Sequence, residues 1–297
     1  MAYVATLVAN PDRATLDGAL LSRVADALPH AGASEWLNMG VAADIPFTRA
    51  DADLKTVTER ARAALSGAAV DVIVQAQVHR RKRLFLADMD STMIGQECID
   101  ELADFVGLKE KVSQITERAM RGEIAFEPAL RERVALLRGL PSSIVEKIIA
   151  ERITLTPGGR ALVMTMRADG AYCCLVSGGF TMFTSPIGAT IGFNEDRSNI
   201  LDIEDGKLAG SVREPILGKQ AKRDALLELR GKLSLTWEQT MAVGDGANDL
   251  AMLEEAGLGV AFRAKPAVAA AAHARIDHCD LSALLYAQGY RREEFRA

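Results

Sequence analysis

Leu84-Phe85-Leu86-Ala87-Asp88-Met89-Asp90-Ser91-Thr92 is the stretch whose reading decides the fold. Four consecutive apolar residues that end abruptly in carboxylates predict a short buried strand delivering Asp88 and Asp90 at its carboxyl end. A second stretch repeats the plan, with Met241-Ala242-Val243 running into Gly244-Asp245-Gly246-Ala247-Asn248-Asp249. Open α/β sheets bind ligands at the carboxyl ends of their strands, so the two acidic clusters are expected to converge. Four carboxylates meeting there repel one another unless a cation intervenes. Oxygen-only donors favour a hard divalent ion such as Mg²⁺. The pairing predicts metal-assisted phosphoryl chemistry with an aspartate nucleophile.

Outward from these motifs, Tyr172 to Val176 and Leu258 to Phe262 read as further strands alternating with helices. That order predicts a Rossmann-like parallel sheet with helices on both faces. Thr156 as N-cap and Pro157 in the first turn predict the start of the helix leading to the strand at 172. Two insertions interrupt the alternation. Residues 97–154 read as all helical, with stripes at Ile99, Leu102, Val106 and at Leu130, Val134, Leu137, and with Ser143 and Glu146 as a capping box. Residues 190–214 read as a hairpin turning at Asp205-Gly206. A helical insert directly after the first acidic motif is placed to cap the site. Met120 and Phe126 are candidates for lining its pocket or filling its core. Ala267 to Ala272 is alanine-rich and reads as helix.

Residues 1–80 look separable from the catalytic region 81–297. Ala5 to Val8 reads as a strand, Leu16, Leu20 and Val24 as a helix face, and Trp36 to Val41 as a strand. Leu54, Val57, Ala61 and Leu65 mark a second helix, and Val70 to Gln75 a closing strand. This order suits a small α/β sandwich. The run His79-Arg80-Arg81-Lys82-Arg83 reads as a solvated linker at the boundary.

Composition narrows the function classes. The chain has 297 residues, 49% hydrophobic and 25% charged, ample for a packed core. A net charge of −5 argues against a general nucleic-acid surface. No apolar run approaches the ~20 residues of a membrane helix. Met1-Ala2-Tyr3-Val4 lacks the features of a signal peptide. The cysteines Cys98, Cys173, Cys174 and Cys279 have no zinc-type spacing and read as reduced thiols, so a cytoplasmic setting is expected. His278, between Asp277 and Asp280, reads as part of a solvated loop. The oligomeric state is left open, a dimer among the options.

The residue types assign roles. Asp88, ionised at neutral pH, can attack phosphorus without a base to activate it. Asp90 can protonate the leaving alcohol and then deprotonate the hydrolytic water. Asp245 is the obvious further metal ligand, and Asp249 is either a ligand or a support for one. Ser177-Gly178-Gly179 after a strand offers a hydroxyl and backbone N–H groups to phosphate oxygens. Lys222, with Lys219 as its rival, can neutralise phosphoryl charge.

These residues in this order resemble the haloacid-dehalogenase superfamily of aspartyl-phosphate phosphatases, over residues 84–285. Asp88-Met89-Asp90-Ser91-Thr92 matches its first motif, Ser177-Gly178-Gly179 its second, Lys222 its third and Gly244 to Asp249 its fourth. Within the superfamily the chain is most similar to the phosphoserine phosphatases, through Glu97 and through Phe126-Glu127-Pro128-Ala129-Leu130-Arg131-Glu132-Arg133 in the cap. The resemblance implies that Glu97 meets a substrate ammonium and Arg133 its carboxylate. It further implies that Ser177 and Gly178 hold phosphate, with Lys222 and Asn248 at the phosphorylated end. Mg²⁺ would sit on the Asp88 and Asp245 side chains and the Asp90 carbonyl, with Asp249 supporting. Met89, where the family often has Phe, is expected to pack beneath the loop. Residues 1–80 resemble the ACT-like domain that precedes the catalytic region in long bacterial members.

The implied activity is hydrolysis of O-phosphoserine to serine, the last step of serine synthesis. A phosphatase or phosphotransferase for another small phosphate, such as phosphohomoserine, is the rival enzyme. A non-enzymatic amino-acid sensor is the rival from another class.

Overall fold

The computed structural model describes residues 2–48, 53–120 and 123–297, the side chain of Met120 excepted. The N-terminal region runs β1 (Ala2–Ala9), α1 (Gly18–Ala27), β2 (Glu35–Asn38), β3 (Ala42–Thr48), α2 (Leu54–Ala64) and β4 (Val70–Ala76). Asp17 and Asp53 cap the two helices by accepting the N–H groups of Leu20 and Thr56. The four strands form an antiparallel sheet in the order β2-β3-β1-β4. The single strand expected over 36–41 is thus half of a hairpin. Gly40, at φ +76°, turns the chain, and 42–48 returns as a strand.

Alternation along each strand sends side chains to opposite faces of this sheet. Leu7, Ile45, Val72 and Val74 pack under α1 and α2. Val8, Ala42 and Ile73 face the other way and join the core of the larger unit, together with Leu284, Leu285 and Tyr286. Polar groups on that second face are anchored as well. Asp71, buried at 4% exposure, accepts the backbone N–H groups of Asp277, His278 and Cys279 at 2.8–3.3 Å. The Arg80 guanidinium forks onto Asp44 at 2.7 and 3.1 Å and also donates to the Ala287 carbonyl. Lys82 is buried with its ammonium on the Glu238 carbonyl at 2.8 Å. The expectation of a solvated linker therefore fails for Arg80 and Lys82. Carboxylate and carbonyl partners from distant segments draw these two side chains in, while Arg81 and Arg83 stay exposed.

The larger unit begins with β5 (Leu84–Ala87), whose alternate residues split between two cores, Phe85 and Ala87 on one face, Leu84 and Leu86 on the other. Four helices follow as the cap: α3 (Cys98–Phe105), α4 (Lys109–Met120), α5 (Phe126–Leu136) and α6 (Ile144–Arg152). The Ser143 capping box is absent, because Ser143 is already in helical conformation and its side chain makes no cap bond. Then come α7 (Gly159–Ala168), β6 (Tyr172–Phe180), α8 (Thr181–Ile191) and β7 (Glu195–Asn199). Helix α7 starts after Gly158, at φ +78°, rather than at Thr156. A Cβ on Gly158 would come within 2.4 Å of the Ser282 nitrogen, so only glycine fits the turn.

The hairpin is shorter than expected, β8 (Leu201–Glu204) and β9 (Lys207–Val212), turning through left-handed Asp205 and Gly206. Residues 195–199 belong instead to the edge of the main sheet, as β7. The hairpin is bonded to the cap: Gly139 and Ser142 donate backbone N–H groups to Leu208 and Gly206, and Leu208 donates to Leu140.

The chain continues through α9 (Lys219–Lys232), β10 (Thr240–Gly244), α10 (Leu250–Glu255), β11 (Leu258–Phe262), α11 (Pro266–Ala271), β12 (Ala274–Ile276) and α12 (Ala283–Ala287). The main sheet is parallel, in the order β12-β11-β10-β5-β6-β7. From β5 the chain moves one way to β6 and β7, then returns to the other side for β10 to β12. The reversal lies between β5 and β10, the topological position at which such sheets bind ligands. No helix among the described residues is long and apolar enough to cross a membrane. All four cysteines are free and buried, and burial raises each thiol pKa.

Candidate active site

Asp88 continues the ladder between β5 and β10, its N–H bonding the Val243 carbonyl at 3.0 Å. That bond fixes the carboxylate at the sheet's edge, 5% exposed. Both contacts to it fall on Oδ1, from the Met89 N–H at 2.8 Å and the Lys222 ammonium at 2.7 Å. Met89 is fully buried beneath the turn. Ser91, at φ +54°, reverses the backbone, so the chain leaves the strand end and reaches α3 in a few residues.

Asp90 Oδ1 accepts the Cys98 N–H in the first turn of α3 at 3.0 Å, and Oδ2 accepts the Ser177 hydroxyl at 3.4 Å. Burial raises the Asp90 pKa, with those bonds working against it. Ser177 in turn accepts the Gly179 N–H at 2.9 Å; Ser177-Gly178-Gly179, expected after a strand, lies inside β6, where the register shifts between Val176 and Phe180.

Lys222 is 1% exposed and bridges Asp88 and Asp249, each at 2.7 Å. Burial works to discharge it, but the two carboxylates more than offset this and raise its pKa. Lys219, three residues earlier on the same helix, is exposed, so of the two it is Lys222 that meets the carboxylates. Asp88 is pushed well up by burial first and then by Asp249, with Lys222 opposing.

Asp249 spends Oδ1 on Lys222 and Oδ2 on the Gly246 N–H at 3.0 Å. A Cβ on Gly244 would lie 2.4 Å from its carboxyl carbon, so the motif needs glycine there. Asp245 receives the Thr92 hydroxyl at 3.2 Å, and burial, then Asp249, raises its pKa. Carboxylate oxygens of Asp88, Asp245 and Asp249 lie within 4.8 Å of one another. An all-oxygen set of this spacing suits a hard divalent cation such as Mg²⁺.

The expected cap residues stand above this cluster. Glu97, at the start of α3, accepts the Ser91 hydroxyl at 2.7 Å. Lost hydration, then the nearby Asp90 charge, raises its pKa to about 7. Arg133 on α5 donates from Nε to the Ala129 carbonyl and from Nη1 to the Thr116 hydroxyl, both at 3.3 Å. Burial lowers its pKa, while Asp100 and Glu97 act on it as opposite charges. Phe126 is 40% exposed and lies over the core, where a methyl group on Gly178 or Gly218 would touch its ring at 3.6 or 3.5 Å. It therefore covers the cleft rather than filling the cap's interior. Asn248 is exposed, with its amide oxygen close against Gly246.

Two residues given no role by the sequence hold these groups in place. Thr92 tethers Asp245. Asn199, 2% exposed, donates to the Gly178 carbonyl at 2.8 Å and accepts the Leu217 N–H at 2.7 Å. Thr92 sits inside the first motif and was legible there by position. Asn199 lies in a polar strand with no pattern to mark it.

A model of the haloacid dehalogenase-like hydrolases matches residues 85–254. The chain belongs to the haloacid dehalogenase-like hydrolases. Among members of this family, it is 44% identical to a phosphoserine phosphatase of Streptomyces coelicolor, over 81% of this chain and 60% of the relative. The chain spans 56–62% of the length of three such relatives, the Streptomyces protein included. A structure of a probable phosphoserine phosphatase from Vibrio cholerae, unliganded, is 30% identical with a TM-score of 0.77, covering 99% of this chain and 89% of that one. A structure described as a phospho-aspartyl intermediate analogue of phosphoserine phosphatase is 40% identical with a TM-score of 0.64. It covers 69% of this hydrolase and 98% of its own chain.

Proposed function

We propose that this hydrolase is an Mg²⁺-dependent phosphoserine phosphatase, cleaving O-phosphoserine to serine and phosphate at the end of serine synthesis. The observation that carries the reading is a charge arrangement. A cluster of carboxylates with one buried lysine lies beneath a cap that presents a carboxylate, Glu97, and a guanidinium, Arg133, within electrostatic reach of each other. A zwitterionic amino-acid head offers the complementary pair. The names of the relatives support the same substrate. The reading divides the chain into residues 1–80, a small domain of regulatory type, and 81–297, the catalytic unit working in the cytoplasm.

Asp88 Oδ2 attacks phosphorus, forming an aspartyl-phosphate as the bond from phosphorus to the serine oxygen breaks. Asp90, whose protonated form burial favours, gives its proton to that oxygen. It then takes a proton from water, which attacks phosphorus, releases phosphate and restores Asp88. Lys222 offsets the charge gathered on the phosphoryl group, and the Ser177 hydroxyl, the Gly178 N–H and Asn248 orient it. The Asp88 and Asp245 side chains and the Asp90 carbonyl would hold the metal, which would supply Lewis acidity and offset repulsion between nucleophile and substrate. Asp249, with both oxygens engaged, supports the set by holding Lys222 and Gly246.

The test is a substrate panel with Mg²⁺: phosphoserine, phosphothreonine, phosphohomoserine and sugar phosphates. Phosphoserine is expected to show the highest kcat/KM, and Asp88→Asn to abolish both turnover and a fluoroberyllate adduct. Equal release of phosphate from sugar phosphates sinks the substrate assignment. Full turnover by Asp88→Asn sinks the nucleophile.

A further inference from the structure

We infer that Thr116 is a positioning residue that pre-sets the Arg133 guanidinium for the substrate carboxylate. This inference rests on the substrate reading above. Thr116 lies on α4 and Arg133 on the neighbouring α5, so the contact ties two cap helices together at the group that is to read the substrate.

The hydrogen-bond inventory fixes the direction of the contact. A threonine hydroxyl has one proton and two lone pairs. Thr116 donates its proton to the Val112 carbonyl one turn back, at 3.0 Å. Only its lone pairs remain, and one accepts Arg133 Nη1–H at 3.3 Å. Arg133 Nε–H is meanwhile spent on the Ala129 carbonyl of its own helix, at 3.3 Å.

Two of the five guanidinium donors are thus held by the cap itself, on Nε and on one Nη1–H. The three that remain include both protons of Nη2. A planar fork with two of its positions fixed has lost its swivel, and a carboxylate then meets donors already oriented. The backbone contact holds the plane by one edge, through Nε–H. The second tether, from another helix, fixes the plane.

Nothing in the sequence marks Thr116 as part of the site, and a half-buried threonine bonding its i−4 carbonyl is common in helices. The lone pair offered to a charged side chain from another element distinguishes this one.

The experiment compares Thr116→Val, which keeps the shape and removes the hydroxyl, with Thr116→Ser, which keeps the hydroxyl. Each is assayed with Mg²⁺ on phosphoserine and on phosphoethanolamine, which carries the same phosphate and ammonium but no carboxylate. Losing a hydrogen bond to a charged group translates into about a tenfold rise in KM for phosphoserine in the valine variant. Its kcat is expected to be unchanged, phosphoethanolamine kinetics should stay at wild-type values, and Thr116→Ser should restore phosphoserine KM. Equal losses on both substrates, or no loss on phosphoserine, overturn the role. Should Thr116→Val not fold, Thr116→Ala read against Thr116→Ser makes the same comparison. A wild-type protein with no preference between the two substrates overturns the substrate reading itself, and this role with it.

Discussion

Replacing Lys222 with methionine tests the electrostatics of the site without reference to turnover. The ammonium is 1% exposed and lies 2.7 Å from both Asp88 and Asp249, with Asp245 in the same cluster. With three carboxylates ionised, the lysine leaves the cluster at about −2, and a divalent ion brings it to about zero. Methionine fills a similar volume but removes the only cation that the protein supplies to this cluster among the described residues. Breaking one partner out of a buried ion pair typically costs about 3–5 kcal/mol, because the remaining charges stay buried and unpaired. That loss is expected for Lys222→Met by urea denaturation in EDTA at pH 8.

The sign of the pH dependence follows from Asp88. Its folded pKa is already raised by burial and by Asp249, and losing Lys222 raises it further. A raised carboxyl pKa destabilises the fold above it and ceases to do so as pH falls and the group protonates. The loss should therefore shrink at pH 5. Added Mg²⁺ should stabilise the variant more than wild type, since nothing now competes for the carboxylates. By linkage, saturation to a hundred times Kd is worth about 2.7 kcal/mol. A loss below about 1 kcal/mol at pH 8, or one that is the same at pH 5, refutes the reasoning, the threshold being that of a weak exposed pair.

Two further outcomes concern stability. Burial pushes the Lys82 pKa down to about 8 from 10.5. Below pH 8 both states carry the proton and the folded state bears the buried cation, at a cost of about 3 kcal/mol that fades as pH rises towards the unfolded pKa. Wild type should accordingly gain stability on Lys82→Met between pH 8 and 10.5 in urea titrations, and parallel pH profiles would contradict it. Asp71→Ala takes the acceptor from the N–H groups of residues 277–279, of which only Cys279 is buried, a loss of about 1–3 kcal/mol. Calorimetry showing an unchanged Tm would remove Asp71 from its role as an anchor.

Much of the catalytic architecture was legible because its signals are local. Residues 84–87, 173–176, 241–243 and 258–262 are buried and read as unbroken apolar runs, and acids follow closely on the first and third. The strands that were missed break those patterns for tertiary reasons. Ala42–Thr48 carries Asp44 and Pro46, which read as breakers, yet Asp44 is neutralised by Arg80 and the Pro46 carbonyl is taken by Gly32. Glu195–Asn199 is polar throughout because it is an edge strand held by side-chain bonds, Thr184 to Asp196 and Arg197 to Glu195 among them. The nucleophile motif could be read from spacing alone. Thr116 and Asn199 could not, since their partners are 17 and 21 residues away and meet them only after the helices and strands have packed.

The second face of the N-terminal sheet has a consequence for synthesis of the chain. Its strands leave the ribosome before the larger unit does, and the residues that cover this face arrive about two hundred positions later, as the 208-residue span from Asp71 to Cys279 shows. At ordinary translation rates the interval is roughly 10–40 s, during which Val8, Ala42 and Ile73 face solvent. A nascent chain in that state presents an apolar sheet face beside a buried-type charge at Asp71 that has no partner yet. Chaperone engagement should therefore concentrate on the first eighty residues and cease once the segment from 274 to 290 has emerged.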